Sequence, residues 1–316
     1  MKIGHISDLH WLDLSGVRAV DFLNKRLSGG FNLIAGRAKK HTKDAVIAAL
    51  ETLKAAHVDH LLVTGDLTNL ALTAEFRSVM ATLDRYFDAA HRTIVPGNHD
   101  FYTRESARCQ RFVEYVYKPY RDAATPRIYA DSIEAEKREN PSEEWPFAEI
   151  HGDVCIIALN SAEPKPWFVA GGTLGNAQLE RLDHLLARPE LESRFKIVML
   201  HHHIVRVVTS PGESLRRLKE RKQLIDTCQK HKVDLIVHGH NHDFSQFKLG
   251  ETLVSEAGSC SVAHFKRNNR AGKINIYTVE NASLQSIETY RYENNRYALW
   301  QCVSPEAFIP ISLENL

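Results

Sequence analysis

Five short apolar runs, each cut off by a cluster of carboxylate, imidazole or amide side chains, are the strongest constraint on how this chain folds. Residues 2–6 run into Ser7-Asp8-Leu9-His10, 59–64 into Gly65-Asp66-Leu67-Thr68-Asn69, and 91–95 into Pro96-Gly97-Asn98-His99-Asp100. Residues 195–200 run into His201-His202-His203, and 234–237 into His238-Gly239-His240-Asn241-His242. Such runs have the length of buried strands rather than of helices. Helical stripes separate them: 43–57 behind a Thr42 cap, 73–89, 104–118, a stretch carrying Leu179, Leu182, Leu185 and Leu186 after a Gly-rich turn, and a basic helix over 213–231. Strand alternating with helix, with polar clusters just past each strand's C-terminal end, predicts an α/β sheet whose site lies along that edge.

Two further strands are expected at 147–151 and 153–159, joined by Gly152-Asp153. From 243 to 301 the pattern alternates with period two, which predicts four or five strands of antiparallel character. A single domain is expected over 1–303, with a charged, proline-bearing excursion at 119–146 and a tail at 304–316 that either straps onto the domain or frays. The insertion at 11–41 interleaves apolar and basic residues around Gly29-Gly30. It reads either as a loop packed on the core with solvated lysines, or as a greasy, positive lid that touches acyl chains or anionic lipid head groups through 22–36.

Charge and cysteine usage remove several function classes. Lys plus Arg number 40 against 39 Asp plus Glu, so no global field draws the chain to nucleic acid. The five cysteines, Cys109, Cys155, Cys228, Cys260 and Cys302, have no paired spacing, which argues against a disulfide framework and a thiolate zinc site. With a first strand starting at Lys2 and no apolar run near the roughly 18 residues of a membrane span, the expected location is cytoplasmic, or peripheral at the inner face of the membrane.

In an extended segment, side chains at i and i+2 point the same way, so Asp8 and His10 are expected to converge just past the first strand. A lone D-x-H is also a common solvated turn. Asp66, Asn98, His99, His201, His240 and His242 occupy the same position on four other strands, and oxygen and nitrogen donors without thiolate suit a pair of divalent metals.

Together, Asp8-Leu9-His10, Gly65-Asp66-Leu67-Thr68-Asn69, Gly97-Asn98-His99-Asp100, His201 and Gly239-His240-Asn241-His242 resemble the calcineurin-like metallophosphoesterases, over about three quarters of the chain. The resemblance implies two packed mixed β-sheets flanked by helices, a four-layer α-β-β-α fold, with a dinuclear metal site at the strand C-terminal ends. It implies that Asp8, His10 and His242 hold a first metal, that Asn98, His201 and His240 hold a second, and that Asp66 bridges them. It further implies attack on phosphorus by a metal-bridging hydroxide, with His99 protonating the leaving oxygen or steadying the transition-state charge. Manganese is the first choice of metal, with iron or zinc as alternatives.

Three departures from family patterns shape the expectations. Asn69 stands where related protein phosphatases carry an Asp behind the catalytic histidine, so Asn69 is expected as a neutral partner of His99. Relatives with His-His-Pro-Pro after the fourth strand differ from His201-His202-His203-Ile204 here, which leaves His202 or His203 as a substrate contact or alternative ligand. The arginine motif of Ser/Thr phosphatases is missing, which disfavours a phosphoprotein. His202, Arg37 and Asn241 are the candidate substrate contacts. The motifs are most similar to bacterial cyclic-nucleotide phosphodiesterases, while the 11–41 insertion is similar to relatives that cleave the pyrophosphate of a nucleotide-linked diacyl sugar in lipid A synthesis. A repair nuclease is disfavoured by the charge balance. A non-catalytic scaffold would be free to shed ligands, yet all eight named positions are kept.

Overall fold

The computed structural model describes residues 1–17, 40–120, 123–130, 145–166, 169–205, 215–263 and 271–311. The chain begins with β1 (Lys2–Ile6), α1 (Lys43–Ala55), β2 (His60–Val63), α2 (Thr73–Leu83), β3 (Arg92–Ile94) and the short α3 (Arg104–Arg108). It continues with β4 (Phe147–His151), β5 (Val154–Ala158), α4 (Asn176–Leu186), β6 (Phe195–Met199), α5 (Arg221–Lys230) and β7 (Leu235–His238). Hairpins follow: β8 (Ser245–Leu249), β9 (Thr252–Glu256), β10 (Lys273–Glu280), β11 (Ser283–Glu293), β12 (Arg296–Val303) and the two-residue β13 (Pro310–Ile311).

These strands form two mixed sheets, ordered β12-β11-β10-β1-β2-β3 and β13-β8-β9-β7-β6-β5-β4. The parallel strands β1, β2 and β3, and β5, β6, β7 and β9, are covered on both faces, which is why their sequences read as continuous apolar runs. Alternate residues face opposite ways. Ile156, Ala158, Ile197, Met199, Leu235 and Val237 join the core shared with the first sheet. Cys155, Ile157, Val198 and Ile236 pack outward under Leu182 and Leu185 of α4 and Leu224 and Ile225 of α5. Helix α1 starts where Thr42 Oγ1 accepts the Ala45 amide at 3.3 Å, and it buries Ala45, Val46, Ala49, Leu50 and Leu53. Within β1, Gly4 has no side chain to keep Leu53 away; an added Cβ would lie 3.1 Å from it.

Several element ends differ from the sequence pattern. The helix expected to 89 stops at Leu83, because the Asp88 carboxylate accepts the Ala90 and His91 amides and caps a separate 3₁₀ turn. The helix expected over 104–118 breaks after Arg108, resumes at Arg111 and passes into a π turn at Val113–Tyr117. Helix α5 begins only at Arg221, because Leu218 and Lys219 are drawn into backbone bonds with His203 and Gly172. The tail leaves the first sheet and pairs Pro310 and Ile311 in parallel with β8 of the second, which makes it a strap as far as 311. Arg37, the lipid-contact segment 22–36, residues 131–144 of the charged excursion, and the start of the basic helix at 213–214 lie outside the described residues. Among the described residues, no helix is long and apolar enough to cross a membrane.

Candidate metal centre

Because β1, β2 and β3 run parallel in one sheet and β6 and β7 in the other, their C-terminal loops meet along one edge. Asp8 and His10 reach this point by a route the i, i+2 argument did not foresee. β1 ends at Ile6, and both residues turn into the left-handed region, at φ 54° and 45°. Asp66, His240 and His242 do the same, at φ 52°, 81° and 57°. Such backbone costs on the order of 1 kcal/mol or more per residue and persists only where its surroundings hold it. Here they do. The Asp8 amide donates to Gly65 O at 3.1 Å and the His10 amide to Asp66 O at 2.9 Å, while Ser259 Oγ and Ser261 Oγ donate to Asp8 O at 2.7 and 2.9 Å.

Two donor groups result. In the first, His242 Nε2 lies 2.8 Å from His10 Nε2 and 3.2 Å from Asp8 Oδ1, and His10 Nε2 lies 3.9 Å from the same oxygen. In the second, His201 Nε2 lies 3.2 Å from both Asn98 Oδ1 and His240 Nδ1. The Asp66 carboxylate stands between them, with Oδ1 3.4 Å from His201 Nε2 and Oδ2 3.8 Å from His10 Nε2. Donors of one ion bonded at about 2.1 Å are at most about 4.2 Å apart, and every spacing above satisfies that bound. Among the described residues, Asp8 Oδ1 is buried and finds no hydrogen-bond donor, a costly state that a cation would relieve. His201 Nδ1 donates to Thr64 O at 2.7 Å, so in the neutral ring Nε2 carries the lone pair and faces the other donors. The residues fit two divalent cations. Asp8, His10 and His242 would hold one, Asn98, His201 and His240 the other, with Asp66 shared.

Electrostatics point the same way. Burial pushes the Asp66 carboxyl up to about 8, against the pull of His201, and the neighbouring Asp8 and Asp100 add to the rise. Burial also opposes ionisation of Asp8, but His242 and His201 outweigh it and hold the group below the usual carboxylate range. Burial lowers the affinity of His240 for a proton, and the adjacent His202 and His201 lower it further, keeping a neutral ring available as a ligand.

Glycine makes this crowding possible at Gly239, where an added Cβ would stand 1.8 Å from Ser7 Oγ and 2.5 Å from Asp8 Oδ2. Asp100, which the motif contains but which had no assigned role, ties two loops together. Its carboxylate accepts the Leu67, Thr68 and Gly97 amides and the Thr68 hydroxyl.

His99 sits over the centre, its amide donating to Asp66 Oδ1 at 2.8 Å and its ring edge-on to His10 at 4.8 Å. The expected role of the Asn69 side chain is corrected here: His99 Nδ1 donates at 2.7 Å to the main-chain oxygen of Asn69, while the Asn69 amide reaches His10 O, at 3.5 Å, among the described residues. A backbone carbonyl is supplied by any residue. Asn69→Ala is therefore expected to change kcat/KM on bis(p-nitrophenyl) phosphate by less than about tenfold, whereas loss of a proton-transferring side chain typically costs about 10² or more. A drop of that size in the Asn69 variant would return the role to its side chain.

The expectation that His202 contacts substrate is also corrected. Its ring is fully buried, with Nδ1 2.8 Å from Ser161 Oγ and its centroid 4.6 Å from that of His240, so it presents no exposed surface to a substrate. It remains within ligand distance of His201 and His240. Asn241 is buried beside the centre, and neither atom of its amide makes a hydrogen bond among the described residues. Sequence reasoning missed His41, whose ring lies 4.7 Å from His10 and 5.2 Å from His242. The only signal was a histidine placed directly before the Thr42 cap. A separate group, His60, Glu149 and His151, sits where β2 begins and β4 ends, away from this edge, and Arg127 Nε lies 3.6 Å from its one carboxylate.

Residues 1–244 match the calcineurin-like phosphoesterase family. Over 235 residues, 74% of this chain and 82% of the relative, the sequence is 25% identical to a probable cyclic nucleotide phosphodiesterase of Vesicomyosocius okutanii. The fold is similar to a dimetal phosphatase from Danio rerio, with a TM-score of 0.57 at 11% identity, covering 94% of this chain and 98% of that one. It is also similar to a purple acid phosphatase from yellow lupin, with a TM-score of 0.63 at 12% identity, covering 96% of this chain and 53% of the other. A match across most of the chain, on the strand ends that carry the donors, means that this protein belongs to the calcineurin-like phosphoesterases, hydrolases built around a dinuclear divalent-metal site.

Proposed function

We propose that the protein hydrolyses small phosphodiesters, cyclic nucleotides first among them. The observation that carries this reading is the pair of donor groups joined by Asp66 with His99 placed above them. Two divalent cations held there would make a bound water more acidic and neutralise charge on the phosphoryl oxygens. Asp66 would be shared between them and, by accepting the His99 amide, sets the position of the acid relative to both donor groups. His99 keeps its Nδ1 proton on the Asn69 carbonyl and exchanges protons at Nε2, where a leaving oxygen needs one. Similarity to a probable cyclic nucleotide phosphodiesterase supports the substrate class. Manganese suits the oxygen and nitrogen donors.

A second reading, cleavage of the pyrophosphate in a nucleotide-linked diacyl sugar at the membrane surface, draws on one observation. The basic, apolar insertion begins immediately after His10, and its last residue, His41, lies back against His10. The test is turnover with added manganese on cyclic AMP, a glycerophosphodiester and a nucleotide-linked diacyl sugar, with and without deletion of 22–36. Hydrolysis of cyclic AMP that survives the deletion supports the first reading. Activity confined to the diacyl substrate and lost with the deletion supports the second, and no turnover of any substrate would leave a binding scaffold.

A further inference from the structure

We propose that His41 is a third imidazole donor to the first cation, beside His10 and His242; this rests on the dinuclear reading of the site. Three observations place it there. The backbone around His41 is fastened to a segment far away in sequence: Thr42 N donates to Ser261 O at 2.9 Å and Ala263 N to Lys40 O at 3.0 Å, on either side of a bridge between His41 and Val262. His41 is buried, and it, His10 and His242 each bring a ring nitrogen within 4.8 Å of the other two. Donors of one ion lie at most about 4.2 Å apart, so a closure of at most about 0.6 Å brings all three pairs within that bound.

The third observation concerns which nitrogen carries the proton. Ser259 Oγ and Ser261 Oγ both donate to Asp8 O, at 2.7 and 2.9 Å. Ser261 Oγ also lies 2.7 Å from His41 Nδ1 and 3.1 Å from Ser259 Oγ, and a hydroxyl has a single proton, so when that proton goes to Asp8 O the serine accepts from His41 Nδ1. In that arrangement the proton sits on Nδ1, and Nε2 is the nitrogen with the lone pair. A ligating histidine is oriented in this way, its second nitrogen donating to a fixed oxygen. The oxygen in this case is itself bonded to the main chain of Asp8, so one serine supports two donors of the same group. With His41 the first cation would have Asp8, His10, His41, His242 and the shared Asp66 as its protein donors. The chain would leave this cation at His10 and return to it at His41, tying both ends of the insertion to the metal.

The experiment is an equilibrium titration of chelator-stripped full-length protein with manganese against a metal indicator, repeated with cobalt to read its visible absorption. Wild type should bind two ions. His41→Ala should keep one at wild-type affinity and weaken the other at least about tenfold, with altered cobalt bands, and Ser261→Ala should weaken the same ion several-fold. His41→Gln, which keeps most of the volume and a group able to donate to Ser261, should match the alanine variant and decides the matter if the latter does not fold. Two ions at wild-type affinity with unchanged cobalt bands in the folded His41 variant would overturn this inference alone. Fewer than two ions in wild type would overturn the dinuclear reading and this inference with it.

Discussion

Replacing Asp66 by Asn is expected to lower phosphodiester turnover by at least about 10³-fold, or about 4 kcal/mol of transition-state stabilisation. The change is nearly isosteric. The amide oxygen can still accept the His99 amide bond, now 2.8 Å, so the loop keeps its local geometry. The negative charge between His201 and His10, 3.4 and 3.8 Å away, is lost, and it is the one group that serves both donor sets. Manganese stoichiometry should fall below two, and wild-type turnover in the variant would place the chemistry elsewhere. The same substitution should change the pH dependence of stability. In the cation-free protein, burial pushes Asp66 up to about 8, whereas an ordinary Asp in the unfolded chain releases its proton near 3.8. Between those values the folded state binds more protons than the unfolded state, so stability falls as pH rises, by up to about 1.4 kcal/mol per pH unit. Melting curves of stripped wild type from pH 4 to 8 should therefore decline more steeply than those of Asp66→Asn. Added manganese should restore the wild type near the upper end, and equal slopes without metal would refute the assignment.

What could be read from the sequence is what side-chain pattern controls. The apolar runs predicted the parallel strands because those strands are buried on both faces, and the polar breaks after them predicted an edge where five loops meet. Main-chain geometry was not legible in the same way. Asp8 and His10 come together through left-handed backbone held by Gly65 and Asp66 carbonyls rather than through extended alternation. His99 is fixed by the carbonyl of Asn69, which no residue type signals. His41 joins the centre through a pairing with residues some 220 positions away, so local pattern could show no more than an insertion ending in a histidine. His202 shows the converse: His201 was the expected ligand and His202 a candidate substrate contact, and only packing reveals that the second histidine is sealed behind the first and His240.

Gly97→Ala tests whether this geometry, rather than donor identity alone, carries the function. A Cβ on residue 97 would stand 2.2 Å from both Asp66 N and Asp66 Oδ1 and 2.8 Å from Asp66 Cγ. A flexible side chain could swing aside, but a backbone nitrogen cannot, so one of the two loops must shift. The Gly97 amide also donates to Asp100 at 2.9 Å, and Asp100 holds the Asp66 loop through Leu67 and Thr68, so the two loops cannot separate without losing bonds to a buried carboxylate. Overpacking of this kind costs about 1–3 kcal/mol, a fall in Tm of a few degrees for a chain of this size. The functional loss should be larger. Displacement reaches Asn98, His99 and Asp66 together, and a misplacement of about 1 Å can cost about 10²-fold in rate. The variant is therefore expected to fold, to melt a few degrees lower, to bind manganese more weakly and to lose at least about 10² in kcat/KM. If kcat/KM stayed within threefold of wild type while Tm fell, the donors would tolerate movement of the loops, and the close approach at Gly97 would serve stability alone.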